Sequence, residues 1–242
     1  MTRLPLEEIG HVEAIFRYPI KSMRGEKLES AMLGWHGLEG DRRLALQRLD
    51  DPSGFPWLNA SKLPELIVFT PKRLHGELPT HVLTPDGSEM SVFGEELAAD
   101  VMRRSGMRVQ MMHSRNGLFD DAHVSLIASD TVNEISRIAG VGSDVRRFRP
   151  NILVRLSNAR AFQEGEWIGG IVQFGDGDDA PAVAVTMHDV RCSMINIDPD
   201  TAQRAPEMLK AAVSANDNNA GVYATVTRTG TLAIGQKIFL RA

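Results

Sequence analysis

The amino-acid sequence predicts a mainly β protein with a few helices (α+β), arranged as a barrel or a sandwich. Short apolar segments of strand length follow one another along the chain and are separated by turn residues. Three segments show the spacing of an amphipathic helix. Many short strands at such intervals favour a barrel or a sandwich over a doubly wound parallel sheet.

The first hundred residues carry strand-like segments broken by turns. The strands predicted in this half are 9–18, 28–35, 43–49 and 66–70. Residues 81–93 form a hairpin candidate with Pro85-Asp86-Gly87 as its turn, because proline and glycine adopt the backbone angles that tight turns need.

Two helices are predicted at 94–105 and 130–139, where apolar residues recur every three or four positions. Gly106 and Gly140 follow these segments directly, and glycine is the usual residue just beyond the end of a helix. Both helices are therefore expected to end at a glycine.

The start of the second helix and the whole of a third are less regular. Thr131 with Glu134 fits a capping box, in which each side chain binds a backbone N–H at the helix start. A third helix is predicted at 203–214, with Pro206 tolerated in its first turn.

The second half returns to strands and a loop. Strands are predicted at 151–156, 170–174, 182–190, 221–228 and 232–240, and residues 214–220 are predicted as a loop. The pattern is interrupted near 113–120, so two closely packed parts are expected, 1–117 and 118–242.

Composition and charge exclude several classes of protein. The chain has 242 residues, 43% of them hydrophobic and 24% charged, and a formal net charge of −4. These values fit a soluble globular protein without the basic field that non-specific nucleic-acid binding needs, so no nucleic-acid partner is expected. The sequence contains neither a long apolar run nor a secretory leader, so we expect a cytoplasmic protein without a membrane span.

Cys192 is the only cysteine in the chain. A disulfide within one chain and a metal site built from several thiolates are thereby excluded. Two interpretations of Cys192 stay open from the residues alone. It is either a small buried hydrophobe or, beside Arg191 at a strand end, a thiolate that attacks electrophiles or binds a soft metal.

Basic and hydroxyl residues recur at the ends of predicted strands. Lys21 and Ser22 follow the first strand, Arg42 opens another, and Arg149 and Asn151 lie just before the strand at 151. Such side chains donate hydrogen bonds to phosphate and to heterocycles. If these strand ends converge, they form an anion pocket; otherwise they are solvated turn residues.

Several motifs, in order along the chain, carry a resemblance to a known family. They are Tyr18-Pro19-Ile20-Lys21-Ser22, Gly37-Leu38-Glu39-Gly40-Asp41-Arg42-Arg43, Arg147-Phe148-Arg149-Pro150-Asn151-Ile152, Phe162-Gln163-Glu164-Gly165-Glu166-Trp167, Arg191-Cys192, Asp198-Pro199-Asp200-Thr201 and Gly230-Thr231-Leu232-Ala233-Ile234-Gly235-Gln236. The chain resembles MOSC-domain proteins, in the branch that contains the mitochondrial amidoxime-reducing component and its bacterial relatives.

The resemblance implies a β-barrel-like MOSC fold in two domains and a molybdenum–molybdopterin cofactor. The domains would be an N-terminal MOSC β-barrel-like domain at 1–117 and a MOSC domain at 118–242. Cys192 matches the cysteine whose thiolate holds molybdenum in the family.

The resemblance also implies roles for other residues. By the same matching, Lys21, Ser22 and Arg42 would hold the phosphate end of the pterin, and Arg149 and Asn151 would donate to its ring. Arg191 is expected beside the cofactor. The segment with Asp121, His123, Ser125 and Ser129 resembles a pterin-contacting stretch, in which Asp121 and His123 are candidate catalytic acids.

The expected function is a molybdenum-dependent oxidoreductase that reduces small N-hydroxylated substrates from N–OH to N–H. No cysteine-rich ferredoxin-like stretch occurs in the sequence. Electrons are therefore expected from a separate ferredoxin- or cytochrome-like protein.

Two alternatives stay open. MOSC domains also occur in molybdenum-cofactor sulfurases, so Cys192 could carry sulfur from a separate sulfur donor. The pyridoxal-phosphate module that generates sulfur in those enzymes is not recognisable in this sequence, so pyridoxal phosphate is an association of the family only. The second alternative is a cofactor-binding protein without turnover.

Overall fold

A computed structural model describes residues 6–73 and 78–241. Its strands are β1 Glu7–Arg17, β2 Glu26–Leu28, β3 Ser30–Gly34, β4 Gly37–Leu38, β5 Leu44–Arg48, β6 Thr70–Lys72, β7 His81–Leu83, β8 Glu89–Ser91, β9 Val109–His113, β10 Val124–Ala128, β11 Ile152–Leu156, β12 Ile171–Phe174, β13 Ala182–Val190, β14 Asn219–Arg228, β15 Gly230–Ala233 and β16 Lys237–Arg241. Its α-helices are α1 Glu95–Ser105, α2 Ser129–Ala139 and α3 Glu207–Asn216. Among these described residues, no helix combines the length and the apolar composition needed to cross a bilayer.

Seven strands close into a barrel. The order is β11-β10-β14-β13-β12-β16-β1, and β1 pairs with β11 to complete the circle. β2 adds to the outside of this sheet by pairing with β1. Full closure leaves few unpaired strand edges, and the predicted choice between barrel and sandwich is thereby decided in favour of the barrel.

The first strand joins the barrel to residues far along the chain. β1 pairs antiparallel with β11, for example Val12 with Val154, and with β16, for example His11 with Lys237. Apolar side chains from these strands, among them Val12, Val154 and Ile238, fill the interior together with Trp167 from the 3₁₀ turn at Gln163–Trp167. The predicted division near residue 117 stays a prediction.

β15, β3 and β4 form a three-stranded sheet that packs against the barrel core through Leu33 and Leu38, whereas β5 to β9 and α1 pack around a second core. β5 pairs with β9, and β6, β7 and β8 form a small antiparallel sheet. Buried residues of this core include Ile20, Leu44 and Leu66. The strand ends that carry Lys21 and Arg42 thus lie between this core and the barrel.

Two predictions about strands in the first half have different outcomes. The hairpin at 81–93 is confirmed by β7 and β8. The strand at 66–70 is wrong, because Pro64–Val68 forms a 3₁₀ turn that buries Leu66 and Ile67, and β6 begins only at Thr70. Proline fixes the backbone at the start of that turn and removes a donor that a strand would use.

The predicted helix ends at Gly106 and Gly140 are confirmed, with φ values of 73° and 65° in the left-handed region. The capping box is wrong. α2 already begins at Ser129, so Thr131 lies inside it, where its hydroxyl donates to Glu164 Oε2 at 2.9 Å and accepts from the Phe162 N–H at 2.7 Å.

The third helix and the following loop are shifted relative to the prediction. α3 starts at Glu207, directly after Pro206, and continues to Asn216. Asp217 and Asn218 are both left-handed, so the chain reverses in two residues and β14 begins at Asn219. The predicted loop 214–220 is therefore mostly helix end and strand start.

Candidate functional site

A cavity of about 280 Å³ contains Cys192 and collects polar residues from both halves of the chain. Five cationic and three acidic side chains line it, although the protein as a whole has a formal net charge of −4. Eight residues predicted as site residues line it: Lys21, Ser22, Arg42, Asp121, Ser125, Arg149, Arg191 and Cys192. We call it the Cys192 cavity.

Lys21 contributes a buried ammonium group to this cavity. Its side chain is only 5% exposed, and Nζ donates to Asp120 Oδ1 at 2.7 Å and to the Leu118 carbonyl at 3.0 Å. Burial lowers the pKa of Lys21, while the neighbouring Asp120 carboxylate opposes this shift. Asp120 is 55% exposed, so an incoming anion can replace a partner that is itself largely in water.

Three lining residues other than glycine adopt the left-handed backbone conformation. The φ angles are 67° for Ser22, 48° for Arg42 and 52° for Arg149. Each such residue costs on the order of 1 kcal/mol or more, and such positions concentrate at functional sites where the surrounding structure enforces them. The three strand ends thus share an unusual backbone geometry as well as polar side chains.

A buried hydrogen-bond network holds Arg42 in place on the side away from the cavity. Asp41 is fully buried and accepts from the Tyr18 backbone N–H at 2.7 Å and from Asn151 Nδ2 at 3.0 Å, and it pairs with Arg42. Arg42 Nη2 donates to the Arg149 carbonyl at 3.0 Å. Burial is the largest single effect and disfavours the charge of Arg42, but Asp41 together with Tyr18 and Tyr223 outweighs it and raises the pKa of the guanidinium. We call Tyr18, Asp41, Arg42 and Asn151 the Asp41 network.

Arg149 stacks on Tyr18 and keeps a guanidinium nitrogen without a hydrogen-bond partner among the described residues. Its guanidinium carbon lies 4.2 Å from the centre of the Tyr18 ring, and that of Arg42 lies 4.9 Å from the same centre. Burial lowers the pKa of Arg149 to about 10 and raises that of Tyr18 to about 12. Arg149 Nη2 is buried and has no hydrogen-bond partner among the described residues. An anion is the group that this environment lacks.

Cys192 lies in the turn between β13 and a 3₁₀ turn at Ser193–Asn196, and its side chain is exposed. Arg191 holds this turn from inside. Its Nε donates to the Ala220 carbonyl at 2.6 Å, its Nη1 donates to the Phe148 carbonyl at 2.7 Å, and Nη2 lies 2.8 Å from Asp189 Oδ2. These bonds anchor Arg191, the residue directly before Cys192, to two other segments of the chain.

Two family models match the chain. The model of the MOSC domain matches residues 88–239, and the model of the MOSC N-terminal beta barrel domain matches residues 9–129. The chain belongs to the MOSC family. The predicted family and the mainly β, barrel-containing fold are thus confirmed. MOSC domains are associated with molybdenum-cofactor binding and with sulfur transfer.

Two solved structures are similar to this MOSC protein at low sequence identity. The YuaD protein from Bacillus subtilis superposes with a TM-score of 0.53 at 12% identity, over 98% of both chains. YiiM from Geobacillus stearothermophilus matches 49% of this chain and 53% of its own, with 17% identity and a TM-score of 0.38. None of the curated proteins compared with the chain matches it.

Three of the predicted site residues do not line the Cys192 cavity of this MOSC protein. Asn151 is buried in the Asp41 network, where its Oδ1 accepts from the Ser125 N–H at 3.1 Å. Ser129 is the first residue of α2, and its Oγ donates to the Val154 carbonyl at 3.4 Å.

His123, the third, packs its ring against Phe119 and His36, with centres 5.2 Å and 5.7 Å apart. Burial, and then His36 and Arg43, lower the pKa of His123.

Asp189 is a lining residue that sequence reasoning missed. Its side chain is 3% exposed, and Oδ2 accepts from Ser125 Oγ at 2.9 Å. Burial raises the pKa of Asp189, and Arg191 opposes that shift. The available signal is an acidic residue near the end of the apolar segment 182–190, two positions before Arg191.

Proposed function

We propose that this MOSC protein binds a molybdenum–molybdopterin cofactor in the Cys192 cavity and uses it to reduce N-hydroxylated compounds. The observation that carries the proposal is an exposed thiol at a cavity whose cationic side chains outnumber its acidic ones. Thiolates suit soft metals, and arginine and lysine suit the phosphate of a pterin.

The residues present fit such a group. Arg147 Nε and Arg149 Nη2, both on lining residues, are buried and have no hydrogen-bond partner among the described residues. Buried donors of this kind are rare in proteins unless a ligand or water completes them. A pterin has the acceptor atoms that would do so.

Six of the lining residues, and the network beneath them, then have a proposed task. The Cys192 thiolate would hold the metal, while Lys21, Ser22 and Arg42 would bind the phosphate. Arg149 would donate to the pterin ring from its stack on Tyr18. The Asp41 network and Arg191 would keep these groups in place, as supporting residues do around metal sites.

The reaction needs two electrons and two protons for each N–OH group that becomes N–H, with water as the second product. Molybdenum, when bound, supplies the two-electron oxygen-atom transfer. The chain's own contribution is to orient the substrate and to hold a proton beside it. We propose Asp189 for that proton, because it lines the cavity and burial raises its pKa. Asp121 also lines the cavity and is the second candidate.

Sulfur transfer is the alternative that a specific observation favours, namely the exposure of Cys192. In that case a partner desulfurase would leave a persulfide on Cys192. A third possibility is binding of the cofactor without turnover.

An anaerobic assay separates these functions. Protein loaded with molybdenum cofactor is given a chemical reductant and benzamidoxime, and benzamidine is quantified. Formation of benzamidine that is lost in Asp189→Asn at unchanged molybdenum content supports the reductase and the role of Asp189. No benzamidine from fully loaded wild type overturns the reductase, and one added sulfur atom on Cys192 after incubation with a desulfurase then supports sulfur transfer.

A further inference from the structure

A second cavity, of about 200 Å³, adjoins the first and shares Arg149 with it. Its cationic lining residues are Arg24, Lys27, Arg146 and Arg149, and no acidic residue lines it among the described part of the chain. Phe16, Tyr18 and Ile67 supply apolar surface. We call it the Tyr18 cavity.

The positive charge of the Tyr18 cavity is only partly compensated. Arg24 Nη1 and Arg146 Nη2 both pair with Asp200, at 3.0 Å and 2.6 Å, so one carboxylate serves two guanidinium groups. Arg146 also pairs with Asp144 at 2.7 Å. Neither aspartate lines the cavity, so its wall, as far as the described residues form it, carries no negative group.

Three lining residues carry buried polar atoms without a partner. Within the described residues, Tyr18 Oη, Arg24 Nε and Arg149 Nη2 find no hydrogen bond. Tyr18 is 2% exposed, so its side chain lies almost wholly inside the protein. Unsatisfied buried polar groups cost free energy. Tyr18 and Arg24 line this cavity but not the Cys192 cavity, so their two unpartnered groups indicate an acceptor that a ligand of this cavity would supply.

Gly25 allows the backbone to pass close to the Tyr18 ring. A Cβ atom at this position would overlap the edge of the Tyr18 ring, so glycine permits the close approach of backbone and ring. The tyrosine is therefore fitted tightly into the wall, between Gly25 on one side and the guanidinium group of Arg149 stacked on its ring.

We infer that the Tyr18 cavity binds a small aromatic carboxylate. The apolar wall suits a flat ring, and the guanidinium and ammonium groups suit a carboxylate on that ring. A volume of about 200 Å³ limits the ligand to about one ring with its substituent. The inference does not depend on cofactor in the Cys192 cavity, since only Arg149 is common to both.

Titration of the ¹⁵N-labelled full-length protein with benzoate tests the inference, followed by amide chemical shifts. We expect saturable shifts at Gly25 and Lys27 and smaller ones at Ser22 and Cys192. Benzamide, which lacks the charge, and inorganic phosphate, which lacks the ring, should each bind more weakly than benzoate.

Matched variants locate the site. Lys27→Gln removes an exposed cation of the Tyr18 cavity and should weaken benzoate binding by up to about fivefold. Two control variants should leave benzoate binding unchanged. Lys62→Gln changes an exposed lysine that lines neither cavity, and Lys21→Gln changes a lysine that lines only the Cys192 cavity.

Shifts centred on Ser22 and Cys192, equal binding of benzamide or phosphate, or no saturable shift would each overturn the inference. A loss of benzoate binding in Lys21→Gln but not in Lys27→Gln would assign the anion to the Cys192 cavity instead.

Discussion

Replacing Asp41 by alanine should strongly destabilise the protein. The substitution removes the acceptor of the Tyr18 N–H and of Asn151 Nδ2, and it leaves the Arg42 guanidinium without its buried partner. Removing one partner of a buried ion pair costs about 3–5 kcal/mol. We therefore expect the free energy of unfolding to fall by about 4 kcal/mol, within that range.

Urea unfolding followed by circular dichroism measures this loss. Asp50→Ala is the matched control, because Asp50 pairs with Arg108 at 2.5 Å but both side chains are more than 60% exposed. The control should shift the urea midpoint far less, since water replaces the lost partner. Asp41→Asn should fall between the two, because it keeps an acceptor oxygen but loses the charge. Equal midpoints for Asp41→Ala and Asp50→Ala would refute the reasoning that the Asp41 network holds the site together.

Two further predictions concern a buried carboxyl and a close contact. Because burial raises the pKa of Glu164 in the folded protein, folding favours its protonated form, and stability should fall as pH rises above the ordinary glutamate value of about 4.3. Glu164→Gln should remove part of that fall above about pH 4.3, whereas Glu166→Gln, at an exposed position, should keep it. Urea midpoints that change with pH by the same amount in all three proteins would contradict the prediction. Gly25→Ala should lower the free energy of unfolding by about 1–3 kcal/mol, because the added Cβ meets the Tyr18 ring. Gly142→Ala, with open space around it, should not lower it. Thermal unfolding compares the two variants, and an unchanged midpoint for Gly25→Ala would count against the close packing.

Local signals predict much of this fold. The glycines at 106 and 140 mark helix ends because only a residue tolerant of positive φ continues the chain there, and both ends are confirmed. Barrel closure depends on pairs such as Val12 with Val154, which no local pattern records. The short strand β10 was missed for a related reason, because all of its residues are buried and alternation is therefore lost.

The candidate site, too, is predicted only in part from the sequence. Residue types at strand ends predict an anion pocket, and the structure brings Lys21, Arg42 and Arg149 to one cavity. Spacing along the chain could not show that Asn151 belongs to the buried Asp41 network and does not line the cavity. Asp189 was missed because a single acidic residue in an apolar strand does not reveal which way it faces.

The content of molybdenum and pterin per chain tests the central claim most directly. The protein is purified from a host that makes the cofactor, and elemental analysis and oxidised-pterin fluorescence are applied to wild type, Cys192→Ser and the neighbouring control Ser193→Ala. We predict near-equimolar metal and pterin in wild type and in Ser193→Ala, and loss of molybdenum in Cys192→Ser. Wild type without metal or pterin, or molybdenum retained in full by Cys192→Ser, would contradict the assignment of the Cys192 cavity as a molybdenum-cofactor site.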